Sequence, residues 1–134
     1  MLVLDTCALL HLAQGRAFRP QAHDLLEAAV QRRQALVPAI AAVEIAQKVW
    51  SGGLHLPVAP AAWFAQALRE SRLRELPLSA AAAFGAYSLP EPFHRDPADR
   101  LIVAAARRLS APLLTSDRKI LAYAAAGHVQ AIPY

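Results

Sequence analysis

One cysteine, Cys7, is all that this 134-residue chain contains. No intrachain disulfide can form, which points to a reducing compartment rather than to a stapled secreted scaffold. Long apolar runs are missing too. The longest uncharged stretch, Val49 to Leu68, holds Gly52, Gly53, Pro57 and Pro60, which break any spanning helix. No basic leader precedes an apolar run at the start, so a signal peptide is not expected. These absences read as a soluble, cytoplasmic protein with no membrane partner. Internal repeats and low-complexity linkers are also lacking. Lysine is scarce: 2 Lys accompany 12 Arg, against 10 acids, for a formal charge of +4. The planar guanidinium suits phosphate. A GC-biased genome would favour arginine equally, so the charge permits a nucleic-acid partner without establishing one.

What is present is ample apolar material, 56% of residues, enough for the core of one domain spanning 1–134. Strand-like and helix-like segments alternate. Leu2–Leu4 reads as a buried strand, followed by a helix from Thr6 to about Ala13. A second helix runs from Gln21 to about Arg33, with Pro20 near its start. Leu36–Val37 is a short strand. Ala39–Trp50 is a helix closed by Ser51-Gly52-Gly53, and Ala61–Arg72 is another. Leu76–Leu78 is a strand candidate, and Ser79 caps a small helix to about Tyr87. Leu89–Arg95, with two prolines, is a loop. Pro97–Leu109 is a long helix, Leu113–Thr115 a strand, Asp117–Ala126 a helix stopped by Gly127, and Gln130–Ile132 the last strand.

Short apolar strands alternating with helices imply an α/β fold: a central parallel sheet of four to five strands with helices on both faces. Right-handed crossovers place the carboxyl ends of all strands on one rim, where ligands of such sheets bind. Five of the ten acids fall at or near that rim: Asp5, Glu44, Asp96, Asp99 and Asp117. Each has a plain explanation. Asp96 before Pro97, with Asp99 in the first turn, is what a helix start favours. Asp117 can cap, Asp5 can serve a turn, and Glu44 can pair with Lys48 one turn on. Glu44, however, sits in "AIAAVEIAQKV", and a carboxylate on so apolar a helix needs a partner.

Taken together the plain explanations weaken. Carboxylates meeting in one crevice repel one another, and their pKa values rise unless a cation joins them. Oxygen donors with no convergent His or Cys suit Mg²⁺ or Mn²⁺ and disfavour zinc. His11, His23, His55, His94 and His128 show no ligand spacing and read as surface or loop residues. A hard cation held by acids binds phosphate oxygens and activates water, so the pattern points to phosphoryl chemistry on an anionic substrate.

On four stretches the chain resembles PIN-domain ribonucleases, and within them VapC-type toxins of toxin–antitoxin pairs. They are "LVLDTCALL", "VPAIAAVEIAQKVWSGGLHLP", "LPEPFHRDPADRLIVAAA" and "LLTSDRKI". Their order and spacing over nearly the whole chain carry the likeness. The resemblance implies a PIN-like three-layer sandwich, with 1–134 as a single PIN domain. It implies metal-binding catalytic acids at Asp5, Glu44, Asp99 and Asp117, supported by Thr6 and Ser116. Asp96 mainly caps, with an outer role at the metal. It further implies Mg²⁺- or Mn²⁺-dependent endonucleolytic cleavage of RNA by metal-activated water, homodimers, and inhibition by a VapB-type antitoxin in a larger toxin–antitoxin assembly. Cys7 departs from the His or Asn frequent there in relatives, with an expected effect on packing. Arg95, Arg100 and Arg118 flank the acids and are candidate contacts for substrate phosphates. For Arg100 the competing reading is a pair with Asp96 one turn back.

Two other readings remain at this level. A haloacid-dehalogenase-type phosphatase also puts Asp after its first strand, but needs a second Asp where Cys7 stands. A catalytically inactive PIN-like module would bind RNA or a partner only, which four intact acids disfavour. Trp63 and Phe64 are neighbours on one helix and point about 100° apart, so one of them is expected at a partner groove or dimer seam, unless the helix buries a wide face.

Overall fold

Five strands and seven helices follow one another along the chain, and they form one parallel sheet covered on both sides. The structure is a computed structural model and describes residues 1–134. Its first half comprises β1 (Leu2–Leu4), α1 (Thr6–Ala13), α2 (Pro20–Gln31), β2 (Ala35–Pro38), α3 (Ile40–Trp50) and α4 (Pro60–Glu70). The second half comprises β3 (Arg74–Leu76), α5 (Ala80–Ala86), α6 (Pro97–Arg108), β4 (Leu113–Leu114), α7 (Arg118–Ala125) and β5 (Ala131–Ile132). The strand order is β3-β2-β1-β4-β5, and every pairing is parallel. The chain therefore winds outward from β1 in one direction and later resumes beside it in the other. The crevice between β1 and β4 is the switch point where ligands of open α/β sheets bind.

Strand periodicity sorts the core into two layers. Leu2 and Leu4 of β1 and Leu114 of β4 face one cluster, with Leu9 of α1, Leu26 of α2, Ile45 of α3 and Phe64 of α4. Val3 and Leu113 face the other, with Ile102 and Val103 of α6 and Ile120 and Tyr123 of α7. Each fully buried aliphatic side chain adds about 1.5–3 kcal/mol, so these short strands are held by their faces more than by their few hydrogen bonds. Trp63 packs against the first cluster beside buried Phe64. The helix thus buries a wide face, with Phe64 enclosed and Trp63 half-buried. The exposed large apolar side chains are elsewhere, with Trp50 at 87%, Phe84 at 77%, Tyr87 at 64% and Val43 at 59% exposure.

Element ends differ from expectation for local reasons. α2 and α4 stop at Gln31 and Glu70, short of Arg33 and Arg72. Arg33, Arg72 and Ser110 instead adopt left-handed φ values of 56°, 55° and 49°. Each closes its helix with the paired hydrogen bonds of a Schellman turn, Gln34 N to Ala29 O at 2.8 Å being one. Glycine is the usual residue there, so no glycine marked these stops. β3 lies at Arg74–Leu76 rather than Leu76–Leu78. Pro77 cannot donate to a ladder, and the edge strand carries exposed Arg74 and Glu75 in place of an apolar run.

Candidate active site

Asp5 leaves β1 and caps α1, its Oδ1 accepting from Ala8 N at 2.7 Å. Asp117 leaves β4 and caps α7, its Oδ1 accepting from Lys119 N at 2.9 Å and Ile120 N at 3.0 Å. Asp96 caps α6 through Ala98 N at 3.2 Å, and Asp99 occupies that helix's first turn. Capping and clustering are therefore not rival roles. Each cap engages Oδ1 alone, and the carboxylate still contributes its charge to the rim. Glu44 reaches the same place from α3, where Thr6 Oγ1 donates to its Oε1.

Asp5, Thr6, Glu44, Asp99, Ser116 and Asp117 line one cavity of about 310 Å³, together with Cys7, Ile102 and Tyr134. The four acids arrive from four elements and meet at the β1/β4 switch point. Oxygens of Glu44, Asp96 and Asp99 lie within 4.8 Å of one another, as do a ring nitrogen of His94 and oxygens of Asp99 and Asp117. Asp5 belongs to neither close group, although it lines the cavity and is 6% exposed. A larger hollow of about 860 Å³ opens among the ends of α6 and α7 and the approach to β5, on the opposite rim. It has no acid among its lining residues and carries no comparable chemistry.

The electrostatics record the crowding. Burial raises the Asp5 carboxyl from 3.8 to about 6, helped by the charges of Glu44 and Asp117 and opposed by hydrogen bonds from Thr115 and Ala8. Burial also raises Asp99 from 3.8 to about 7, with Asp96, Asp117 and Glu44 pushing the same way. Burial pushes the Tyr134 hydroxyl upward, so it stays a neutral donor beside the acids. Oxygens so strained against ionisation fit a hard divalent cation, which would relieve the repulsion. Cys7 is exposed at the mouth, and its thiol is pushed up by burial and by Asp5.

Asp5 and Asp99 hold protons more tightly folded than unfolded, so stability falls as pH rises from the unfolded value through about 6 and 7. The metal-free chain should melt higher at about pH 5 than at about pH 7.5. Added Mn²⁺ should lift the melting temperature more at the higher pH, where it no longer competes with protons. Differential scanning calorimetry checks this. A metal-free melting temperature that rises over that interval would contradict the crowding of these two carboxyls.

Sequence reasoning placed Arg100 among the phosphate contacts, and the structure corrects this. Arg100 is 5% exposed and donates to the carbonyls of Ala86, Phe93 and His94 and to Glu91 Oε1. It braces the proline loop from beneath and does not pair with the Asp96 side chain. Arg95 and Arg118 are exposed and free of ion pairs. Ser116 exchanges hydrogen bonds with the backbone of Tyr134, at 3.2 Å and 3.3 Å, rather than with an acid. Thr115, which the sequence reading passed over, is buried, bonds to Asp5 and accepts from Asp117 N at 3.1 Å. His94, read as a loop residue, places Nε2 3.1 Å from Asp99 Oδ2.

The sequence matches the PIN domain family model over residues 2–126. The chain belongs to the PIN domain family. Two solved structures share its fold. VapBC2 from Rickettsia felis, solved bound to a DNA fragment from its promoter, superposes with a TM-score of 0.68 at 15% identity, covering 99% of this chain and 98% of that one. FitAB bound to an IR36 DNA fragment gives 0.56 at 18% identity, covering 99% and 94%. No curated protein matches the sequence. No helix is long and apolar enough to cross a membrane.

Proposed function

We propose that this chain, as a single PIN domain, is a divalent-metal-dependent endoribonuclease, and that it is the VapC-type toxin of a toxin–antitoxin pair acting in the cytoplasm. The observation that carries the reading is the meeting of Asp5, Glu44, Asp99 and Asp117 in one cavity at the sheet's switch point. Membership of the PIN family and the likeness to VapBC2 and FitAB support it. The carboxylates of Asp5, Glu44, Asp99 and Asp117 would hold Mg²⁺ or Mn²⁺, with Asp96 beside them. Bound there, such a cation activates water and offsets charge on a scissile phosphate.

The chain's own groups supply the rest. Thr6 orients Glu44, Thr115 links Asp5 to the start of α7, and Tyr134 offers a neutral hydroxyl at the cavity wall. Arg95 and Arg118 are free to take substrate phosphates outside the acidic pit, so a polyanion binds around it while the acids repel bare phosphate. The exposed rings of Trp50, Phe84 and Tyr87 support binding of a VapB-type antitoxin and a second copy of the chain.

The test is cleavage of a labelled RNA by the purified chain. The expected result is internal cutting that EDTA stops and excess Mg²⁺ or Mn²⁺ restores. Ends should carry 5′-phosphate and 3′-hydroxyl, and a 2′-deoxy residue at the cut site should still permit cleavage. A 2′,3′-cyclic end would mean attack by the ribose hydroxyl and would overturn the water-based reading.

A further inference from the structure

We infer that His94 is a direct nitrogen ligand of the bound cation, so that this centre prefers first-row transition ions such as Mn²⁺ over Mg²⁺. The inference rests on the metal-dependent reading above and goes beyond its oxygen-only ligand set. His94 sits at the end of the proline loop, and its ring nitrogen Nε2 is a buried polar atom with no hydrogen-bond partner. Asp99 Oδ2 is only 3.1 Å away, yet the two atoms form a close contact without a hydrogen bond. The two side chains are 19% and 18% exposed, so water does not readily make up the missing bond. A buried nitrogen left this way beside a carboxylate needs a reason.

A shared cation satisfies both atoms. The donor atoms of His94, Asp99 and Asp117 lie within 4.8 Å of one another. Ligands of one octahedral ion at about 2.1 Å stand about 3.0–4.2 Å apart, so a small contraction closes the group. Glu44 and Asp96 form a second close group with Asp99, which makes Asp99 common to an oxygen-only set and a nitrogen-containing one. Mg²⁺ demands oxygen and gives up its waters reluctantly, whereas imidazole suits the transition ions. The ring is also held in place. Arg100 Nη1 donates to the carbonyls of Phe93 and His94, each at 3.2 Å, and the Phe93 ring meets the His94 ring edge-on at 4.5 Å. Arg100 thereby acts as a positioning residue for His94 through the backbone. Fixing of a metal-binding imidazole by its surroundings is the usual arrangement at such centres.

The test is pulsed electron paramagnetic resonance of the full chain loaded with Mn²⁺, alongside calorimetric titration with Mn²⁺ and with Mg²⁺. The wild-type spectrum should show coupling to an imidazole nitrogen, retained in His55→Ala and lost in His94→Ala. Affinity for Mn²⁺ should fall about 10- to 100-fold in His94→Ala and in His94→Gln, while affinity for Mg²⁺ changes less than about threefold. Metal-free melting curves show that the variants are folded, and the wild-type spectrum decides the matter without them. Mn²⁺ bound with no nitrogen coupling would overturn ligation by His94 and leave the nuclease reading standing. Weakened affinity without coupling in the wild type would make His94 only a hydrogen-bond donor to Asp99. Failure of wild-type protein to bind Mn²⁺ at all would overturn both.

Discussion

Asp99→Asn should lower RNA cleavage by about a thousandfold, roughly 4 kcal/mol of barrier, while raising the melting temperature of the metal-free protein. The two effects have one origin. Asp99 belongs to both close donor groups, and its carboxyl is driven up to about 7 by burial and by Asp96, Asp117 and Glu44. The asparagine keeps the shape, removes one negative charge from the crowd, and can donate to Asp96. It therefore relieves the folded state above about pH 7 and deprives a cation of its shared anchor. Side-by-side assay of cleavage at fixed Mn²⁺ and of melting in EDTA checks both halves. Cleavage within threefold of wild type, by a folded variant, would remove Asp99 from the site. A variant that is inactive and also less stable when metal-free would mean that Asp99 serves the fold and that the crowding is illusory.

The acids were legible before the fold was known because each follows an element end that its own sequence announces. Asp5 comes after Leu2–Leu4 and Asp117 after Leu113–Leu114, so the parallel β1–β4 pairing brings both to one rim, and Asp96 before Pro97 marks the helix start that Asp99 follows. Glu44 was legible from its apolar helix. Arg100 was not. On a helical wheel it is a charged residue among acids, and only the path of the Leu89–Arg95 loop shows that it is enclosed by carbonyls. Loop conformation depends on tertiary contacts, which no local period encodes. His94 was missed for the same reason, since its approach to Asp99 depends on how that loop folds back over the start of α6. Thr115 looked like strand and lies in fact just past the end of β4, where its hydroxyl joins two of the acids. β3 failed because an edge strand is specified by what it pairs with, and Arg74 and Glu75 have no apolar signature.

Arg100→Ala should destabilise the metal-free protein by about 3–5 kcal/mol, a fall of about 11–18 °C in melting temperature for a chain of this size. The guanidinium satisfies the carbonyls of Ala86, Phe93 and His94 from an almost closed position, with Ala86 O at 2.9 Å. It also lies 5.1 Å from the ring centre of Tyr87 and 5.9 Å from that of Phe93. Truncation strands those three acceptors and opens a gap under the loop. Loss of the Glu91 pair itself matters little, since the Glu91 side chain is 62% exposed and its charge returns to water. Arg100→Lys should recover less than half of the loss, because one ammonium cannot serve acceptors spread around a planar fork. Glu91→Gln should unfold close to wild type. Denaturant titration of the three variants in EDTA separates these outcomes. An Arg100→Ala variant as stable as Glu91→Gln would mean that the loop stands without its brace. The expected ordering, with Arg100→Ala weakest and Glu91→Gln nearest wild type, would mean instead that a residue expected to meet substrate uses its charge to hold the backbone on which His94 and the Asp96–Asp99 turn are mounted.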